Sequence, residues 1–109
     1  MTNFLLVYVT TANQNEATKL AQAAVKARLA ACANILPSMC STYFWQGKLS
    51  SADESVLLLK TDQAHYSALV QLLREQHSYE IPCIVALPLA EVDGAYGAWL
   101  KGQLGGDHN

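Results

Sequence analysis

The sequence predicts an α+β fold: two βαβ units sharing one four-stranded antiparallel sheet, with an extra C-terminal helix. Three observations lead there. The chain has 109 residues, near the commonest size of one domain and too short for two comfortable cores, so a single domain over residues 1–109 is expected. Extended apolar runs and helically spaced apolar stripes follow one another in the order strand, helix, strand, twice over. The first unit closes with Ile35-Leu36-Pro37 and the second with Ala86-Leu87-Pro88.

Residues 4–10 are apolar at nearly every position, which suits a central strand covered on both faces. Asn13 stands three residues before Glu16, a variant of the capping box, and starts a helix whose stripe is Leu20, Ala21, Ala24, Ala27 and Ala31. Ala33 to Leu36 resumes an extended run. Pro37 interrupts it, and Ser41, Tyr43 and Trp45 then alternate with Thr42, Phe44 and Gln46 up to a Gly47-Lys48 turn, which predicts one long strand bent by a bulge. Val56 to Thr61 reads as the returning arm, with Ser50 to Asp53 as a loop. Asp62 caps a second helix that buries Tyr66, Leu69, Val70 and Leu73 and ends near His77-Ser78. Ile81 to Leu89 makes the fourth strand. Gly94 to Leu104 makes a closing helix carrying Tyr96, Trp99 and Leu100, and Gly105 to Asn109 fray into solvent.

This order is the ferredoxin-like split βαβ pattern. Right-handed crossovers put both helices on one face of the sheet, leaving the other bare in a single copy. The first, third and fourth strands are nevertheless apolar on both faces. Covering several hundred Å² of such surface, at about 25 cal/mol per Å², calls for another subunit, with the long hairpin as the arm that reaches it.

Composition narrows the function. Apolar residues make up 51% and charged residues only 15%, against a usual charged share of about 25%, which excludes disorder and favours self-association. Seven basic and nine acidic side chains give a formal charge of -2, no footprint for nucleic acid or an anionic membrane. No apolar run approaches the roughly 20 residues of a bilayer-spanning helix, and Met1-Thr2-Asn3 does not resemble a secretory leader, so a cytoplasmic protein is expected. Cys32, Cys40 and Cys83 are odd in number and lack a CxxC spacing, which reads as reduced, mostly buried thiols. GxSxG, P-loop and GxGxxG motifs are absent, so no catalytic site is expected.

Two constellations carry chemistry. His77, His65, the cysteines and Met39 are the residue types that hold copper, but no two histidines share helical ligand spacing, and Met39 and Cys40 should face opposite ways. His77, just before Tyr79-Glu80, is either a solvated cation at a helix end or a ligand or acid–base group. Tyr43, Trp45, Lys60, Tyr79, Glu80 and Trp99 form the second set. Lys60 lies within an apolar strand and needs a carboxylate or a ligand anion, Glu80 being the natural partner. A Lys–Glu pair among aromatics at a subunit cleft suits a small molecule.

The segments Leu29-Ala30-Ala31-Cys32-Ala33-Asn34-Ile35-Leu36-Pro37, Ser41-x-Tyr43-x-Trp45-x-Gly47-Lys48, Leu57 to Thr61, His77-x-Tyr79-Glu80-x-Pro82, Ala86-Leu87-Pro88 and Tyr96-x-x-Trp99-Leu100 together resemble the CutA family of divalent-cation tolerance proteins. The resemblance implies a tight homotrimer of PII-like architecture, a cytoplasmic role in copper or divalent-cation tolerance, and no enzymatic activity. It also implies copper ligands at Thr10, Gln76 and His77, where some members carry a cysteine and two histidines. Only His77 keeps the expected type, and a lone imidazole holds copper weakly. Ser78 and Cys83 stand where the family often has proline and glutamate. The alternative is a PII-like module that binds a small anion or a protein partner at the cleft around Lys60 and Glu80.

Overall fold

The computed structural model describes residues 2–105. Its elements are β1 (Phe4–Thr11), α1 (Gln14–Lys26), β2 (Cys32–Trp45), β3 (Lys48–Asp62), α2 (Gln63–Gln76), β4 (Ile84–Pro88) and α3 (Gly94–Gln103). The sheet runs β2-β3-β1-β4 with every neighbouring pair antiparallel, the expected ferredoxin-like order. Alternate residues of β1 explain the layering. Leu5, Val7 and Val9 face the helices and are buried with Leu57 and Leu59 of β3, Leu20 and Ala24 of α1, and Leu69 and Leu73 of α2. Leu6 and Tyr8 face the other way, where only α3 covers one end by packing Leu100 and Leu104 near Phe4, and remain partly exposed. On that open face Leu36, Val85 and Leu87 keep 52%, 48% and 49% of their surface.

The caps follow from local chemistry. The Asn13 side chain accepts from the Glu16 amide, that of Asp62 from His65 and that of Asp93 from Tyr96. Helix α1 ends at Lys26 in a Schellman arrangement: Arg28 N–H donates to Val25 and Leu29 N–H to Ala24, with Arg28 itself at φ 63°. Ala27 is therefore an exposed cap and not part of the buried stripe, while Ala17 is buried in its place. In α2 the stripe is narrower than expected, with Leu69 and Leu73 buried and Tyr66 and Val70 only partly so.

The hairpin departs from the sequence reading. Ser50 to Asp53 are not a loop: they pair with Tyr43 to Cys40 inside a continuous β3. The reversal is the two-residue turn Gln46-Gly47, with φ of 51° and 80°, not the expected Gly47-Lys48, because Lys48 already pairs with Trp45; so tight a turn leaves each residue of 48–53 opposite one of 40–45. Ladder hydrogen bonds then outweigh the low strand propensity of Ser and Asp. The expected bulge is present as a register shift between Leu36 and Met39 around Pro37. The resulting arm accounts for a long axis of 49 Å against 26 and 21 Å.

Three further corrections concern ends and thiols. Strand β4 begins at Ile84, so Ile81 to Cys83 form the loop leading into it. Gly105 does not fray: its N–H donates to the Arg28 carbonyl, and a Cβ there would come within 2.6 Å of the Arg28 side chain. Gly106 to Asn109, also expected to fray, lie outside the described residues. The cysteines are not buried within one chain; Cys40 and Cys83 are exposed and Cys32 intermediate, because all three sit away from the helix-covered core. Among the described residues no helix is long and apolar enough to cross a membrane.

Candidate functional site

His77 closes α2 and is buried, contrary to the expectation of a solvated cation. Its ring spans two elements. Nε2 lies 2.7 Å from the Thr10 carbonyl oxygen of β1, and the Tyr79 amide donates to Nδ1 at 3.0 Å. A carbonyl only accepts and an amide N–H only donates, so Nε2 carries the proton and Nδ1 the lone pair. Glu16 Oε2 is 3.9 Å from Nδ1, but with that lone pair engaged the contact is not an ion pair. Both nitrogens are committed, and a metal taken by either would first have to displace a backbone partner.

Glu16 fixes the same loop from the other side. Oε1 accepts from the Ala12 amide at 2.9 Å, one residue before the capping-box position, and Oε2 accepts from the Ser78 amide at 2.7 Å. Burial works to raise its pKa, but the amides of Ala12 and Ser78 and the Ser78 side chain outweigh it and hold the carboxyl below its usual value. A depressed folded-state pKa contributes stability above the unfolded value and loses it as pH falls through the folded one. Urea unfolding at stepped pH from 4.5 downward is therefore expected to weaken the wild type more steeply than Glu16→Gln. Parallel pH dependences would contradict the clamp.

The loop so held presents Tyr79 and Glu80 to a cleft of about 660 Å³ between the root of the hairpin arm and the open face. Tyr43 and Trp45 of β2, Glu54 of β3, Tyr79 and Glu80 line it, together with Thr10 and Cys83. Glu54 lies opposite Met39 at the base of the arm and accepts from the Tyr79 hydroxyl at 2.7 Å. The His77 and Tyr79 rings meet at 4.8 Å, so the ring behind the loop supports the ring in the cleft. Burial and the Glu54 carboxylate both favour the neutral phenol and push the Tyr79 pKa well up. Stability from this contact is present below the ordinary tyrosine range and is lost as pH rises through the raised value. Of the five tyrosines, one is expected to ionise late when absorbance is followed to high pH, and Tyr79→Phe to remove that late step. A late step that survives Tyr79→Phe would show that another tyrosine carries it.

The six residues read from sequence as one cleft fall into two groups within a single chain. Tyr43, Trp45, Tyr79 and Glu80 share the cleft just described. Lys60 pairs in the sheet with Leu6, four residues along β1 from Thr10, or roughly 13 Å at 3.3 Å per residue. Within one chain it therefore takes Tyr96 and not Glu80: Lys60 Nζ is 3.2 Å from the Tyr96 hydroxyl and 5.3 Å from the ring centroid. Trp99 stacks at 5.5 Å from Tyr96 and edges a separate groove of about 640 Å³ between α1 and the start of β2.

The metal-type residues also disperse. His65 is engaged by Asp62 at 2.7 Å and by the Gly105 carbonyl, and Met39 Sδ accepts from the Tyr8 hydroxyl at 3.4 Å. Gln76, exposed at the end of α2, does not line the cleft. Among the described residues no group of three or more His, Cys, Asp or Glu could hold a metal ion. Sequence reasoning missed Glu16 and Glu54. Glu16 was visible only as a cap, and Glu54 could have been found from its alternation with Val56, Leu58 and Lys60 on one face.

Fold and cleft together define a ferredoxin-like α+β protein with an open-faced sheet and an aromatic, acidic cleft. Comparison with known proteins is specific. A family model described as CutA1 divalent ion tolerance protein matches residues 5–103, and the chain belongs to the CutA family. It is 39% identical over 100 residues to the divalent-cation tolerance protein CutA of Thermus thermophilus, covering 92% of this chain and 97% of that one. It is also 39% identical over 97 residues to the chloroplastic protein CutA of Arabidopsis thaliana, covering 89% of this chain. The chain spans about half the length of that relative, 53%. Among solved structures, the Thermus thermophilus divalent cation tolerance protein superposes with a TM-score of 0.91 at 38% identity, covering 94% of this chain and 99% of that one.

Proposed function

We propose that this chain contributes to divalent-cation tolerance as a homotrimer that binds a ligand at its cleft and catalyses no reaction. The relatives' names support the tolerance role. One observation carries the assembly: the arm and the open face leave large apolar side chains in water, with Phe44, Trp45 and Leu49 at 73%, 59% and 69% exposure. Phe44 and Leu49 pair on one face of the arm and Trp45 stands on the other, and exposed apolar side chains on both faces mark a protein–protein surface. The cleft lies where the arm meets the open face, so assembly through either surface brings a neighbour to its rim.

Direct capture of copper by His77 is not part of this reading, since both ring nitrogens already hold the fold together. Sedimentation at micromolar concentration tests the assembly. A species of three times 11.8 kDa is expected, and a well-folded species of 11.8 kDa would overturn it. Growth of a strain lacking the gene, in raised copper, cobalt or zinc, tests the role. Restoration by the wild-type chain but not by an arm variant that stays monomeric is expected.

A further inference from the structure

We infer that the cleft at the base of the arm takes a small organic ammonium ion, held between aromatic faces and two carboxylates. The inference rests on reading this cleft as a ligand site and names the class of ligand. Its volume, about 660 Å³, is in the range of small-molecule sites. Tyr43, Trp45 and Tyr79 give it three aromatic side chains, and Glu54 and Glu80 give it two acids. Among the described residues, no lysine, arginine or histidine lines it.

Charge decides between ligand classes. A small anion or nucleotide phosphate would meet two carboxylates and no counter-charge, whereas an ammonium ion gains from both carboxylates and from the negative faces of the rings. A bare divalent ion fits less well. It asks for several oxygen ligands in a defined shell, yet Glu54 already accepts the Tyr79 proton, and no third acidic, cysteine or histidine side chain joins the two acids in a metal-binding group among the described residues. Aromatic walls add nothing to a hard hydrated metal ion, but they do stabilise a weakly hydrated organic cation.

The Trp99→Phe variant leaves Trp45 as the single tryptophan and so as a fluorescent reporter in the cleft. It is titrated at neutral pH with benzylammonium, benzyl alcohol and benzoate, which share one ring and differ in charge, and each sample's mass is measured by sedimentation. Saturable quenching by benzylammonium at least tenfold tighter than by benzyl alcohol, weakened by salt, is expected. Benzoate should bind more weakly than both. Glu80→Gln and Tyr43→Leu should each weaken benzylammonium about tenfold without changing the mass. Equal binding of all three probes, preference for benzoate, or no binding of benzylammonium by correctly assembled protein would overturn the inference. Binding of benzylammonium by a folded single chain would uphold it while overturning the trimer.

Discussion

His77→Ala is expected to lower the unfolding free energy by about 2–4 kcal/mol, measured by urea denaturation. Two effects add. The substitution leaves the Thr10 carbonyl and the Tyr79 amide without their partners, each worth about 1–3 kcal/mol when it stays out of reach of water, and it empties a ring-sized space behind the loop. The loop's other hold, Glu16 on the Ser78 amide, remains and caps the loss. His77→Gln should recover part of it, because its side-chain amide can reach the Thr10 carbonyl as Nε2 does while leaving the Tyr79 amide unpaired. A cost below about 1 kcal/mol for alanine would show that the ring is replaceable by water. The same variant should loosen Tyr79, since that ring packs on His77, and so weaken binding in the cleft.

The double variant Phe44→Ser/Trp45→Ser is expected to have the largest effect on assembly while leaving the protomer folded. Both rings are mostly exposed in one chain, so their loss removes little internal packing. If each is covered in the assembly, burial of about 150–250 Å² per aromatic at about 25 cal/mol per Å² corresponds to several kcal/mol per copy. Sedimentation should find the double variant at 11.8 kDa at concentrations where the wild type stays associated, with near-unchanged circular dichroism. An intact assembly would mean that the arm is not the contact.

Much of the fold was legible because its determinants are local. Asn13 and Asp62 cap helices by hydrogen bonds that span three residues, Gly47 supplies a positive φ at the turn, and Pro37 breaks the ladder where it stands. The crossover rule put α1 and α2 on one face of the sheet, and Leu36, Val85 and Leu87 are indeed half exposed on the other. The candidate site was legible only in part. Tyr43, Trp45, Tyr79 and Glu80 were read together and do meet, but Glu54, which the Tyr79 hydroxyl bonds, looked like one more acid in a polar stretch.

The sequence by itself determined the order of elements, the caps at Asn13 and Asp62, the turn to within one residue and the surplus of apolar sheet, since each depends on residue type at short spacing. Only the tertiary structure decided that His77 is a buried brace with both nitrogens engaged, that Lys60 meets Tyr96 instead of Glu80, and that Ser50 to Asp53 lie in a strand. Those outcomes are set by strand register and by which loop crosses which strand end. Such long-range geometry is a property of the whole sheet and leaves no mark in the residues on either side.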